Sequence, residues 1–433
     1  MITRIEIDGY KSFEKFSMDF GPFTVIAGVN GVGKSNLFDT LRHLSHLVSE
    51  TLVEAFVTDR GSYEELFLLY PNSERCDRIS YAVEMLLPKV VEDQFSTKET
   101  LQNLRLRYEL SVKAESTREF SILKERLTYI KRSEDKLLKQ NREVKNIIPQ
   151  LKRGRQTPFI DTNGNQITIH QDGNAGRKRA VSREGAKRTV LSSITTVEFP
   201  HAYAARKSLE NIHFLQLNPE RLRTPSKFSA SHSLEADGSN LSAMLARLIQ
   251  NDPDVEQMIS NDLSTVVPGV AAFFLEEDKT REEYIIGVKH IDGYRIPSNL
   301  LSDGTLRILA LIAISYDPEF NGIIILEEPE NGVHPGRIPQ IVDILRDMTG
   351  FPNVQPSFRQ IIANTHSPAL TTQIRGHSLA FAIPKRVVDK NGPHTITDVH
   401  YAEDNDMFGQ YQRKQYENML SDNKQSDELA PVL

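Results

Sequence analysis

Apolar and polar residues alternate over Ile2-Thr3-Arg4-Ile5-Glu6-Ile7, the two-residue period of a half-buried strand. Phe23-Thr24-Val25-Ile26-Ala27 is instead a compact apolar run that stops at a glycine, and it also reads as a strand. From Ser35 to Val48 the apolar residues Leu37, Leu41, Leu44 and Leu47 recur at helical spacing, so the local order is strand, glycine-rich turn, helix. Strand-like segments follow at Arg78 to Leu87, Leu104 to Val112 and Phe120 to Tyr129. The character changes between 130 and 210, where a charged helix-like segment gives way to loops and strands around Asn163-Gly164-Asn165 and Asp172-Gly173-Asn174. Helical patterns resume near 240–260, and a compact α/β unit runs from about 283 to 400. The pattern thus predicts one α/β domain in two halves, 1–129 and 211–400, an insertion at 130–210, and a polar, weakly ordered tail at 401–433.

Composition narrows the class. The 433 residues suffice for about two to three domains, and 39% hydrophobic with 25% charged residues is ordinary for a globular chain. No run approaches the roughly 20 apolar residues of a membrane span, and the start lacks the apolar run of a signal peptide. A cytoplasmic protein without a membrane partner is expected. The single cysteine, Cys76, excludes an internal disulfide framework and a Cys-based zinc cluster within one chain. The net charge of −6 is uneven: 131–188 holds fifteen Lys/Arg against six Asp/Glu, a net of +9 that leaves −15 on the remainder. Such a basic stretch, with the cluster Arg177-Lys178-Arg179, suits an anionic partner such as DNA, or simply a solvated face.

The candidate chemistry starts at Gly28-Val29-Asn30-Gly31-Val32-Gly33-Lys34-Ser35, which fits G-x-x-x-x-G-K-[ST] between a strand and a helix. Glycines let backbone N–H groups curl around phosphate oxygens, and the helix N-terminus adds partial positive charge. Lys34 then reaches the β/γ-phosphates of a nucleotide, and the Ser35 hydroxyl is a ligand for Mg²⁺; the loop alone leaves kinases, GTPases and AAA+ machines in play. A second element is the apolar run Ile323-Ile324-Ile325-Leu326, a strand buried on both faces, which ends in Glu327-Glu328-Pro329-Glu330. Adjacent carboxylates at a strand's carboxyl end are costly unless a cation or a polarised water occupies the site. Ser302 stands 25 residues before Glu327 as a natural N-cap, in Leu301-Ser302-Asp303-Gly304-Thr305, ahead of the apolar helical run Leu306 to Ile314. Arg359 to Pro368 reads as strand then helix start, with Ser367 as N-cap, and places His366 at the strand end, 38 residues after Glu328.

Asn30-Gly31 within the loop, Asn36 after it, and the opening Gly9-Tyr10-Lys11-Ser12-Phe13 resemble the SMC/RecF-like branch of ABC-type ATPases, which includes the AAA-21-like ATPases. Leu301-Ser302-Asp303-Gly304 resembles the ABC signature, and Pro329-Glu330-Asn331-Gly332-Val333-His334-Pro335 the D-loop of that branch. The resemblance covers residues 1 to 129 and 211 to 400. It implies that Lys11, Asn30, Gly31, Val32, Gly33, Lys34, Ser35 and Asn36 surround ATP, and that Ser35 and Glu327 serve the Mg²⁺ ion. It further implies that Glu328 polarises the attacking water and His366 senses the γ-phosphate. Glu327 stands where most ABC ATPases have aspartate. Ser302 and Gly304 would face the ATP of the opposite subunit, which implies a head-to-tail homodimer, or a larger oligomer, with His334 at its seam. The Q-loop glutamine is not located; Arg60-Gly61-Ser62 to Leu66-Phe67 only resembles the corresponding region.

The expected fold is therefore an ABC-type P-loop head, a mixed sheet with flanking helices and an added antiparallel β part, with a short basic insertion in place of long coiled-coil arms. The resemblance implies a nucleotide-gated switch in prokaryotic anti-phage defence, acting on an effector protein. Three rival readings remain: a RecF-like DNA repair ATPase, an ATP-gated scaffold, and a nuclease of the OLD type. Against the last, only 67 residues follow His366, and their one acidic match is Asp404-Asn405-Asp406.

Overall fold

The computed structural model describes residues 1–56, 63–116, 119–148, 157–171, 178–231, 233–354 and 358–402. Arg60-Gly61-Ser62, Asp172 to Arg177 and the tail from 403, with Asp404-Asn405-Asp406, lie outside the described residues.

Eight strands make an antiparallel sheet: β1 (Ile2–Asp8), β2 (Phe16–Asp19), β4 (Arg78–Leu86), β7 (Arg105–Ser116), β8 (Glu119–Tyr129), β9 (Ile160–Asn163), β10 (Gln166–His170) and β11 (Lys178–Ser182), in the order β11-β10-β9-β8-β7-β4-β1-β2. A small ladder, β5 (Val90–Glu92) and β6 (Lys98–Thr100), stands beside it. The second large sheet holds β3 (Phe23–Ala27), β12 (Ile212–Leu215), β17 (Gly322–Glu327), β18 (Arg359–Thr365), β19 (Leu379–Asp389) and β20 (Gly392–Tyr401), ordered β12-β17-β18-β3-β19-β20. It is parallel except for the final hairpin β19–β20. A third sheet joins β13 (Ser226–Lys227), β14 (Val270–Asp278), β15 (Glu283–His290) and β16 (Arg295–Pro297).

The unbroken apolar runs of the parallel strands have a plain cause. Alternate residues face two different cores: Ile26, Ile323, Ile325 and Ile362 enter one, and Val25, Ala27, Ile324, Leu326, Ile361 and Ala363 the other. A strand buried on both faces cannot alternate with polar residues. The first core lies between the two large sheets and includes Leu37, Leu41 and Leu44 of the helix Lys34–Leu47. The second is closed by the helices Leu241–Asn251, Asp254–Val266, Asp303–Tyr316 and Ile338–Asp347.

Buried polar side chains join these parts. The Gln360 carboxamide on β18 accepts from the Ile2 N–H (2.9 Å) and donates to the carbonyls of Ile2 (2.7 Å) and Gly21 (2.9 Å), locking the two large sheets together. Arg105 on β7 pairs with Asp135 at 2.7 Å and donates to Thr3 Oγ1 at 2.7 Å, with both charged groups buried. The stretch after β8 is tied in through β9–β11, which extend the antiparallel sheet, and through Glu125, whose carboxylate accepts the N–H groups of Val190 (2.7 Å) and Leu191 (2.8 Å). The helix-like charge pattern there forms two short helices, Lys136–Gln140 and Arg142–Ile147, with Asp135 and Asn141 as N-caps.

Candidate active site

Three parallel strands end at one level. In register, Glu327 of β17 pairs with Asn364 of β18, which pairs with Ile26 of β3, while Thr365 pairs with Ala27. Two inter-strand steps separate the acidic strand from the loop strand, about 10 Å. The loop after β3 and the carboxylates after β17 therefore open on the same sheet edge.

The loop turns at Gly31 (φ +79°) and Gly33 (φ +105°), the left-handed backbone that glycine tolerates. Gly33 is the N-cap of the helix Lys34–Leu47 and supplies no side-chain cap, so the first N–H groups of that helix have no capping side chain. Asn30, Gly31 and Ser35 are exposed; Val32, Gly33 and Lys34 are buried. The Lys34 ammonium donates to the carbonyls of Gly28 (2.5 Å) and Val29 (2.8 Å). Burial lowers its pKa, and the Glu328 carboxylate, close enough to act on it, opposes that shift. Asn36 donates to Ser12 Oγ at 2.9 Å. Lys11, at φ +45°, pairs with Asp39 of the loop helix at 2.8 Å.

Glu328 sits at φ +46°, where a non-glycine residue is strained. Three contacts hold it: its N–H donates to Asn364 Oδ1 (2.9 Å), its carbonyl accepts from the Asn331 N–H (3.0 Å), and its Oε1 meets His366 Nδ1 at 2.8 Å. A carboxylate only accepts, so His366 carries a proton on Nδ1 in this arrangement. Thr365 Oγ1 donates to Glu330 Oε1 and accepts from the Ser367 N–H at 2.9 Å. The other Glu330 oxygen is buried without a hydrogen-bond partner among the described residues. Burial raises the pKa of that carboxyl, Thr365 opposes the shift, and Glu328 adds to it.

Ser302 caps the helix Asp303–Tyr316, its Oγ accepting from the Thr305 N–H at 3.2 Å. A side chain on Gly304 would lie 3.1 Å from the Gly332 carbonyl, so the capped turn packs directly on the loop after Glu330. One turn on, Arg307 is buried, acted on by Asp303, Glu330 and Glu328, with Nε unpartnered among the described residues; burial lowers its pKa. His334 is exposed and accepts the Gly336 N–H at 3.1 Å.

Gln216 escapes the sequence reading. It follows β12 directly, the strand parallel to β17, and lines a cavity of about 140 Å³ with Arg42, Asp237 and Glu327. The signal is slight: a four-residue apolar strand with a polar residue at its carboxyl end. The donors near this edge are oxygens: the Ser35 hydroxyl, the Glu327 carboxylate and the Gln216 carboxamide. That is the donor chemistry of a hard cation such as Mg²⁺, which takes one or two carboxylates with neutral oxygens and completes its shell with phosphate and water. Among the described residues no group of three or more His, Cys, Asp or Glu could hold a metal by itself.

The family model described as "AAA domain, putative AbiEii toxin, Type IV TA system" matches residues 23–372, from the loop strand past His366. The chain belongs to this AAA family. Its fold is that of the SMC head ABC-type P-loop ATPases, as the sequence motifs imply. An SMC head solved with the C-winged helix domain of ScpA is 12% identical, with a TM-score of 0.52 over 93% of this chain and 98% of that one. The SMC head domain from Thermotoga maritima is also 12% identical, with a TM-score of 0.42 over 93% and 99%. The likeness is one of fold. No curated protein matches the chain. Among the described residues of this AAA protein, no helix is long and apolar enough to cross a membrane.

Proposed function

We propose that this protein binds and hydrolyses ATP, and that two copies close head to tail around two nucleotides. The observation that carries the reading is the convergence at one sheet edge of the Lys34 loop, Glu327 and the strained Glu328, held by Asn364 and His366. The glycine-turned loop and its open helix start would cradle the phosphates, with Lys34 exchanging the carbonyls of Gly28 and Val29 for phosphate oxygens. Ser35, Glu327 and Gln216 would hold Mg²⁺, which when bound neutralises developing phosphate charge. Glu328 would orient the attacking water, and His366, now on that carboxylate, would turn to the γ-phosphate. Lys11, Asn30, Gly31, Val32, Gly33 and Asn36 belong to the nucleotide's surroundings in this reading. Ser302 and Gly304 serve the partner's nucleotide, so one copy alone lacks part of each site. Such positioning, more than covalent chemistry, is what phosphoryl transfer asks of a protein.

The test is hydrolysis of Mg·ATP by the purified protein over a range of dilutions. Activity per molecule should fall on dilution, and Ser302→Arg should abolish turnover while ATP still binds. Full specific activity at every dilution would refute the paired arrangement, and absence of ATP binding would refute the whole reading.

The role we favour for such a switch is the ATPase subunit of a prokaryotic anti-phage system controlling an effector protein in the cytoplasm. The family description, with its reference to a toxin system, supports it. A DNA-directed role has its own observation: β11 is an edge strand with Lys178 and Arg179 exposed. Salt-sensitive binding of duplex DNA, lost in Lys178→Glu/Arg179→Glu, would favour that role.

A further inference from the structure

The nucleotide loop is backed by a strand that the ATP-binding reading does not use. β20 is the last strand of the parallel sheet's closing hairpin, and its Thr397 is buried behind the loop. The Thr397 hydroxyl donates to the Val32 carbonyl at 2.7 Å and lies 2.8 Å from Ser12 Oγ, which accepts from the Asn36 amide at 2.9 Å. A hydroxyl has one proton, so Thr397 Oγ1 shares its donation between two acceptors within reach, the Val32 carbonyl and Ser12 Oγ. Ser12 Oγ thus accepts from both Asn36 and Thr397, and Asn36, Ser12, Thr397 and the Val32 carbonyl form one connected network. The backbone adds a second tie, the Thr397 N–H donating to the Ser12 carbonyl at 2.9 Å.

Shape reinforces the network. A Cβ on Gly33 would fall 2.3 Å from Thr397 Oγ1 and 2.9 Å from Ser12 Oγ, so the loop's second turning glycine lies directly against both hydroxyls. Val32 and Gly33 are the residues whose peptide units must hold their direction if the loop is to aim its N–H groups at phosphate. The Val32 carbonyl is fixed by Thr397 alone among the side-chain bonds described.

We propose that Thr397 is a positioning residue for the nucleotide: through the Val32 carbonyl and the Ser12 hydroxyl it holds the loop in its phosphate-binding curvature, so the closing hairpin is part of the ATP site. The inference rests on the proposal that the loop binds ATP. Thr397→Val keeps the shape against Gly33 and removes only the hydroxyl, leaving a buried carbonyl without its donor. Thr397→Ser restores the hydroxyl and gives up a methyl group.

Mg·ATP titrated into the full-length protein by calorimetry tests it, with the thermal midpoint of each nucleotide-free variant measured alongside. Thr397→Val should weaken ATP binding by about tenfold, the usual effect of orphaning a buried hydrogen-bonding group. KM should rise correspondingly and kcat stay within about twofold, because the residue touches the loop and not the reacting atoms. Thr397→Ser should recover most of the affinity. Ser12→Ala, which breaks the network one step away, should give a smaller loss in the same direction, and it carries the test should the valine variant not fold. Wild-type affinity in both Thr397→Val and Ser12→Ala overturns the inference while leaving ATP binding intact. A wild-type protein that does not bind ATP overturns both, so the two failures are distinguishable.

Discussion

The antiparallel sheet and the carboxyl edge of the parallel sheet both carry charges out of full solvent, and they treat them oppositely. On the antiparallel sheet opposite charges interlock: Arg107 meets Glu6 at 2.6 Å, Glu109 at 3.1 Å and Glu84 at 3.3 Å, while Arg105 is closed by Asp135 at 2.7 Å. At the parallel edge, among the described residues, Arg307 keeps a buried Nε without a partner, Glu330 a buried oxygen without one, and Lys34 rests on backbone carbonyls. A buried charge left incomplete costs free energy that a purely structural region would have removed. In the ATP-binding reading proposed above, the contrast separates a region built to hold still from one built to receive something charged.

Four substitutions would break or sharpen that contrast. Arg105→Ala strands the buried Asp135 carboxylate, and urea unfolding should show stability lower by about 3–5 kcal/mol. The surviving folded fraction should keep its ATP affinity; loss of both would blur the division between the regions. Glu328→Gln should lower turnover by about 100-fold or more while ATP binding and the closed dimer persist, read by phosphate release and light scattering. Arg307→Met should be nearly neutral or stabilising in the same urea experiment, yet lower turnover by about tenfold. A stability loss as large as that of Arg105→Ala would mean that Arg307 is ordinary structure. A pH-dependent effect belongs to Glu125, whose carboxyl is pushed up from 4.5 to about 7 by burial, against the opposing bonds from Val190, Leu191 and Tyr108. The folded state holds that proton more tightly than the unfolded chain, so this group should make stability fall as pH rises from about 4.5 through 7. Glu125→Gln should flatten that part of the pH profile of thermal melting; an unchanged slope would assign it to other groups.

Much of this architecture is legible in the order of residues. Phe23–Ala27 is a strand over the same five residues in pattern and in structure, because an apolar run closed by glycine leaves little choice. The helix expected from Ser35 to Val48 forms at Lys34–Leu47, and the acidic strand at Gly322–Glu327. What escapes is assembled from afar. Thr397 and Ser12 meet across 385 residues, and although Ser12 stands in the opening motif, nothing local marks Thr397. Asn364 reads as one more residue of a buried strand until its carboxamide is found on the Glu328 N–H. Gln216 is missed because a four-residue strand has no measurable period, and only its place beside β17 gives it meaning. Phe16–Asp19 is likewise too short to announce itself, and gains its strand character from pairing with β1.

Position 328 has a wider consequence. Its left-handed backbone would be most comfortable as glycine or asparagine, and strain of this kind is worth about 1 kcal/mol or more. With Glu328 orienting the attacking water, as proposed above, chemical competence and thermodynamic comfort pull in opposite directions at a single residue, and a selection for heat resistance alone would drift toward a sturdier but inert molecule.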